Sequence, residues 1–321
     1  MGGGSWTSKS WDTYASSHVT SKKSVKEVYT SRGMDPSLDP KGLTVRESRD
    51  SVDSPESTAI IVGADVTGSM DPVLNSLIRT ALPVLTGEIY PATPPINPAT
   101  GIAFPMVTNP HLMFLGIGDV EAGDRAPLQV TQFEADIRIA EQLTKIYLEG
   151  NGGSNNYESY ALAWYLAGMH TSIDCFEKRK KKGYLFTIGD EEPTPYLRGC
   201  DIERVFGYKP QFDKITADDL LTLASRSYEV YHIMVEEGHH FRHSGDNVAA
   251  KWGNLLGQRA MRLSDISKLA EIITSAIYVN EGASREAVIN RWDGSTGIVV
   301  ARAITEGAIT PVSSATGVVK F

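Results

Sequence analysis

A chain of 321 residues suffices for one large domain or two small ones, and 41% hydrophobic with 22% charged residues is ordinary globular usage with a sizeable core. A net charge of −8 argues against nucleic acid as the default partner, and Cys175 and Cys200 give neither a disulfide framework nor metal-ligand spacing. No apolar run approaches the roughly 20 residues of a membrane span. The start, Met1 to Trp6, lacks the pattern of a secretory signal or a myristoylation site, so a soluble, cytoplasmic chain is expected.

Residues 1–56 are rich in Ser, Lys, Thr and Asp, with turn signals at Asp35-Pro36, Asp39-Pro40 and Ser54-Pro55. They read as a loosely structured arm whose aromatics, Trp6, Trp11, Tyr14 and Tyr29, favour packing on the main body or on a partner. The first strand is the apolar run Ala59 to Ala64, which ends in Asp65-Val66-Thr67-Gly68-Ser69. A helix is predicted from Asp71-Pro72 onward, with Val73, Leu74, Leu77, Ile78 and Leu82 at helical spacing. Pro83 should kink or end it. Pro91, Pro94, Pro95, Pro98, Pro105 and Pro110 mark a long surface loop, the kind that serves as an interaction site or lid.

His111 to Val120 and Leu128 to Phe133 flank the turn residues 121–127 and read as a hairpin. Helices are predicted over 136–148 and 157–169, on either side of a polar loop at 150–156. Glu177 to Lys182 is a basic run that reads as a solvated helix end. Gly183 to Ile188 is a buried strand ending in Gly189-Asp190-Glu191-Glu192-Pro193. A helix over 216–228, a strand over 229–235 and helices over 247–263 and 265–278 follow, with an edge strand near 298–304 or a tail at the end. Alternating strands and helices over about 58–280 predict an α/β fold with a mostly parallel sheet.

In such a sheet, ligands sit in the crevice beyond the carboxyl ends of the strands. Three loops carry oxygen donors: Asp65, Thr67 and Ser69; then Ser154, within Gly152-Gly153-Ser154-Asn155; then Asp190, with Glu191 and Glu192 as alternatives for its role. Hard oxygen donors suit Mg²⁺ or Mn²⁺ better than zinc. The same residues could instead serve as helix caps or a solvated acidic turn.

In order and spacing, these three elements resemble a von Willebrand factor A (vWA) domain with a metal-ion-dependent adhesion site, over about residues 57–280. Thr67 in place of the usual first Ser is a variant similar to intracellular, copine-like members. Ser154 stands where Thr is usual, and Thr187-Ile188-Gly189-Asp190 displaces the acid of the usual Thr-Asp-Gly. The resemblance implies a doubly wound, mostly parallel central sheet with one antiparallel edge strand and helices on both faces. It implies that Thr67 and Ser69 bind Mg²⁺ or Mn²⁺ directly, Ser154 directly or through water, and Asp65 and Asp190 through coordinated waters. The implied function is binding or assembly without catalysis, the ion being completed by an Asp or Glu of a protein partner such as an AAA+ ATPase or a larger assembly. The arm at 1–56 and an extension at 281–321 would flank this domain.

Other readings of the same residues stay open. Asp65-Val66-Thr67-Gly68-Ser69 also resembles the Asp-Lys-Thr-Gly-Thr of haloacid-dehalogenase-like phosphotransferases and phosphatases, in which Asp65 would be the nucleophile. A structural component of a bacterial or phage assembly would need no metal at all. His239, His240 and His243 could hold zinc if their segment were helical. Gly238 and Ser244-Gly245 predict a loop instead.

Overall fold

The computed structural model describes residues 5–150 and 155–305, apart from the side chain of Ser69. Its centre is a strand buried along its whole length, β1 (Thr58–Asp65). The other strands of its sheet are β2 (Pro110–Ile117), β3 (Leu128–Val130), β4 (Gly183–Gly189), β5 (Tyr228–Val235) and β6 (Ala260–Leu263). Their order is β6-β5-β4-β1-β2-β3, parallel throughout except for the antiparallel β2–β3 edge. The fold is therefore the doubly wound α/β class expected, with the predicted hairpin as its antiparallel edge.

The continuous apolar character of β1 follows from its two covered faces. Ile60, Val62 and Ala64 join one core and Ala59 and Ile61 the other. The principal helices, in chain order, are α1 (Ser8–His18), α2 (71–89), α3 (Ala161–Met169), α4 (Gly199–Phe206), α5 (Ala217–Ala224), α6 (His239–Leu256), α7 (Leu269–Asn280), α8 (Arg285–Arg291) and α9 (Gly294–Thr305). Helices α2, α7 and α9 cover the first face, and α3 to α6 the second. Among the described residues no helix is long and apolar enough to cross a membrane.

Pro83 does not end α2. Ahead of it the helix widens into a π turn over Leu77–Ala81, where the Leu82 N–H reaches back to the Leu77 carbonyl at 77–82 spacing. The wider turn re-pairs the ladder beside a residue that has no N–H to give. Residues 5–56 follow the main body. Arg79 of α2 donates to the carbonyls of Val19 (2.9 Å) and Thr20 (2.7 Å), and the Tyr29 hydroxyl to that of Leu74 (2.9 Å). Arg46–Ser48 adds a short strand parallel to Thr171–Ile173.

Three predicted elements differ, the first being the helix expected over 136–148, which is confined to Arg138–Leu143. The helix expected over 247–263 begins earlier, at His239, and stops at Leu256, where Gly257 takes a positive φ of 58°. Residues 260–263 are the edge strand β6, a four-residue run too short to show its own period beside a helical one. The edge strand expected near 298–304 is helix α9 instead. Val299, Val300, Ala303 and Ile304 are buried at helical spacing, so packing overrides their β-branched preference.

At the amino end of β1 the charged side chains form a closed network. Asp50 accepts from Arg179 (2.7 and 3.1 Å), Lys178 (3.3 Å) and both the N–H and hydroxyl of Ser57 (3.0 and 2.9 Å). Asp174 accepts from Arg49 (2.9 Å) and the Asp50 N–H (2.8 Å) and pairs with Lys178 (2.7 Å). Part of the basic run at 177–182 thus joins this network while staying at the solvated surface expected for it.

Candidate metal centre

The strand order reverses between β1 and β4, the place where a doubly wound sheet opens a crevice at its carboxyl edge. Asp65 is the last residue of β1, and Asp190 immediately follows β4, whose Ile188 is level with Ala64. The topology therefore brings these two predicted acids to neighbouring strand ends. Asp65 is 1% exposed; its Oδ1 accepts the N–H and the hydroxyl of Thr67, both at 2.7 Å, and its Oδ2 has no partner. Because the Thr67 hydroxyl spends its proton on Asp65, its lone pairs remain for a cation.

Asp190 is also fully buried. Its Oδ2 accepts the His240 N–H at 2.8 Å, in the first turn of α6, where an anion is favoured, and its Oδ1 is unpartnered. Gly238, the residue before α6, lies so close that a Cβ there would fall 2.2 Å from the Asp190 Cβ. Of the alternatives to Asp190, Glu192 is drawn away by Asn247 and Lys251. Glu191 stays, with a buried and unpartnered Oε2, its own carbonyl held by the Trp252 indole at 2.8 Å.

Ser154 lies outside the described residues, as does the side chain of Ser69. The described residues nearest Ser154 border the crevice. The Gly150 carbonyl oxygen would be 2.8 Å from a Cβ on Gly68, and the Asn155 amide donates to Asp119 Oδ2 at 2.5 Å.

Glu158 escaped the sequence reading. It is fully buried, and neither carboxylate oxygen has a partner. The Thr194 hydroxyl holds its carbonyl at 2.5 Å, and Ser159 beside it bonds the Gly118 carbonyl (3.2 Å) and the Val120 N–H (2.9 Å). Glu158 is thereby wedged between the ends of β2 and β4. Asp119 was missed too, although Ile117-Gly118-Asp119 repeats the Ile188-Gly189-Asp190 of the other strand end. That repeat was its available signal. Below them, the unpartnered Tyr160 hydroxyl fills the space left by Gly189, and His232 stacks on Trp252 with ring centroids 3.5 Å apart.

The electrostatics follow from burial and crowding. Burial pushes Asp65 up to about 7 against the pull of its Thr67 hydrogen bonds, with the Asp190 and Asp124 charges adding to it. Burial, then Asp65 and Asp190, pushes Glu191 up to about 8. Burial, then Asp65 and Glu191, pushes Glu158 up to about 12. Burial holds His232 well below its ordinary value, hence neutral. A cation in the crevice would relieve all three acids together.

No family model and no curated protein sequence matches the chain.

Among the described residues, no three His, Cys, Asp or Glu side chains group closely enough to hold an ion by themselves. An ion in the crevice would therefore take hydroxyl and water ligands alongside any carboxylate. The histidine segment, predicted as a loop, is helical: His239 and His243 lie one turn apart on α6, with ring centroids at 4.6 Å, and His243 Nδ1 is 2.8 Å from the His239 carbonyl. Gly238 acts there as a helix start rather than as loop punctuation.

Proposed function

We propose that the chain is a vWA-type binding module whose crevice takes Mg²⁺ or Mn²⁺ and, through it, a carboxylate of a protein partner. One observation carries this reading. Two acids on neighbouring strand ends, Asp65 and Asp190, each have one oxygen fixed by the fold and the other buried without a partner. Buried polar atoms without partners are costly, and a divalent ion with hard-oxygen preference satisfies both. Thr67 and Ser69 would hold the ion by their hydroxyls, Asp65 would orient the Thr67 hydroxyl, and Asp190 would hold a coordinated water. Bound there, the ion supplies a Lewis-acidic centre that accepts an anionic oxygen from outside. The partner would be a protein presenting Asp or Glu, such as an AAA+ ATPase or a subunit of a larger assembly.

The reading is tested by affinity capture from lysate with wild type and Asp65→Ala, each with Mg²⁺ and with chelator. A protein recovered only by wild type in Mg²⁺ supports it. Identical recovery in all four conditions removes metal-dependent binding as the function. Mg²⁺-dependent phosphate release abolished by Asp65→Asn would replace it with phosphoryl transfer.

A further inference from the structure

Among the described acids of the crevice, Glu158 is the one with both carboxylate oxygens buried and unpartnered. Asp65 and Asp190 each have one oxygen engaged by Thr67 and His240. Asp119 has both engaged, by the Glu121 N–H (2.7 Å) and by Asn155. Glu191 has one buried oxygen without a partner and is partly exposed, so water reaches the rest of it. Glu158 offers two, with the residue fully buried. Its backbone is not free to swing out to water, because Thr194 holds its carbonyl while Ser159 is bonded to Gly118 and Val120. These bonds pin it between the loops that follow β2 and β4, the two neighbours of β1, and so place it at the strand end that carries Asp65. Even protonated, a buried carboxyl with no hydrogen bond is costly for a fold to keep. An apolar residue of similar volume would fill the site without that penalty.

We propose that Glu158 is an internal ligand of the crevice ion, so that the chain itself supplies the carboxylate that a partner would otherwise bring. This rests on the metal-site reading above and deepens it. Mg²⁺ and Mn²⁺ are commonly held by one or two carboxylates with waters completing the octahedron. With Glu158 in place the ion carries less net charge and draws an outside anion less strongly. The isolated chain then binds its ion without any partner, and a partner carboxylate has to displace Glu158 to reach it.

The test is Mn²⁺ binding to the full chain, followed by electron paramagnetic resonance of free Mn²⁺, for wild type, Asp65→Asn, Glu158→Gln, Glu158→Asp and Glu192→Gln, whose side chain is held away from the crevice by Asn247 and Lys251. The expected result is binding by wild type without any partner, at least tenfold weaker binding by Glu158→Gln and Asp65→Asn, and a change below about threefold for Glu192→Gln. Circular dichroism without Mn²⁺ establishes that each variant folds. Should Glu158→Gln not fold, Glu158→Asp decides, since a carboxylate one methylene shorter must also bind more weakly if position 158 is a ligand. Wild-type affinity in a folded Glu158→Gln or Glu158→Asp, with Asp65→Asn impaired, overturns the role of Glu158 and leaves the metal site standing. Absence of Mn²⁺ binding by wild type overturns both.

Discussion

The two ends of the central sheet hold acids in opposite states. At the amino end, both oxygens of Asp50 and both of Asp174 are met by Arg179, Lys178, Arg49, Ser57 or a backbone N–H. Burial opposes the charge on Asp50, but these hydrogen bonds outweigh it and hold its carboxyl well below the ordinary range. At the carboxyl end, Asp65, Asp190, Glu191 and Glu158 keep buried oxygens with no partner, and burial, with the charges of neighbouring acids behind it, raises Asp65, Glu191 and Glu158. Acids answered by side chains lock the base of the fold. Acids left unanswered mark the crevice that is proposed above to take an ion.

The largest effect is expected where the network is closed. Asp50→Ala leaves Arg179 only the Ser57 carbonyl, strands both donors of Ser57 and should cost about 3 kcal/mol, read from urea unfolding. An unshifted midpoint would break the contrast between the two ends. His111 gives the next effect. It is buried near the same end, bonded to Ser48 at 3.1 Å, and burial pushes it down to about 4, so it folds neutral. An unfolded histidine takes its proton near 6.5, so stability is full above that pH and falls as pH drops toward 4, by roughly 2–3 kcal/mol. Asp50 extends the loss below 4, as its unfolded carboxyl protonates before the folded one. Thermal melts across pH 4–8 should show the upper part of this loss in wild type and not in His111→Gln.

The smallest effect sharpens the comparison most. In metal-free protein Glu158→Gln removes a buried carboxyl that no group answers, so stability should change by less than about 1 kcal/mol or rise. A loss comparable to that of Asp50→Ala would show that Glu158 is structurally committed after all.

Much of the fold could be read before the structure. Buried parallel strands are unbroken apolar runs, so β1, β2 and β4 stood out, and their ends marked Asp65 and Asp190. Asp119 was readable in the repeated Ile-Gly-Asp. Glu158 was not. Its burial depends on Thr194 and Gly118, which are distant in sequence, and no local pattern encodes such contacts. The start of α6 was hidden because Gly238 and Gly245 look like loop residues. Each is small for a different reason: a Cβ on Gly238 would strike Asp190, and one on Gly245 would lie 2.7 Å from the Phe241 ring. Likewise β6 was masked by the helical pattern just before it.

Helix α6 carries non-helical backbone angles at Ser244, φ −130° and ψ 17°. The break divides it into a stub that holds Asp190 through His240 and a longer rod that carries Trp252 onto His232. The two pieces answer to different loads. A pull on the acid at the end of β4 is borne by little more than one turn, while the aromatic stack beneath the crevice is anchored beyond the joint. The joint thus sets the turn that holds the Asp190 carboxylate apart from the rod that carries Trp252 beneath it.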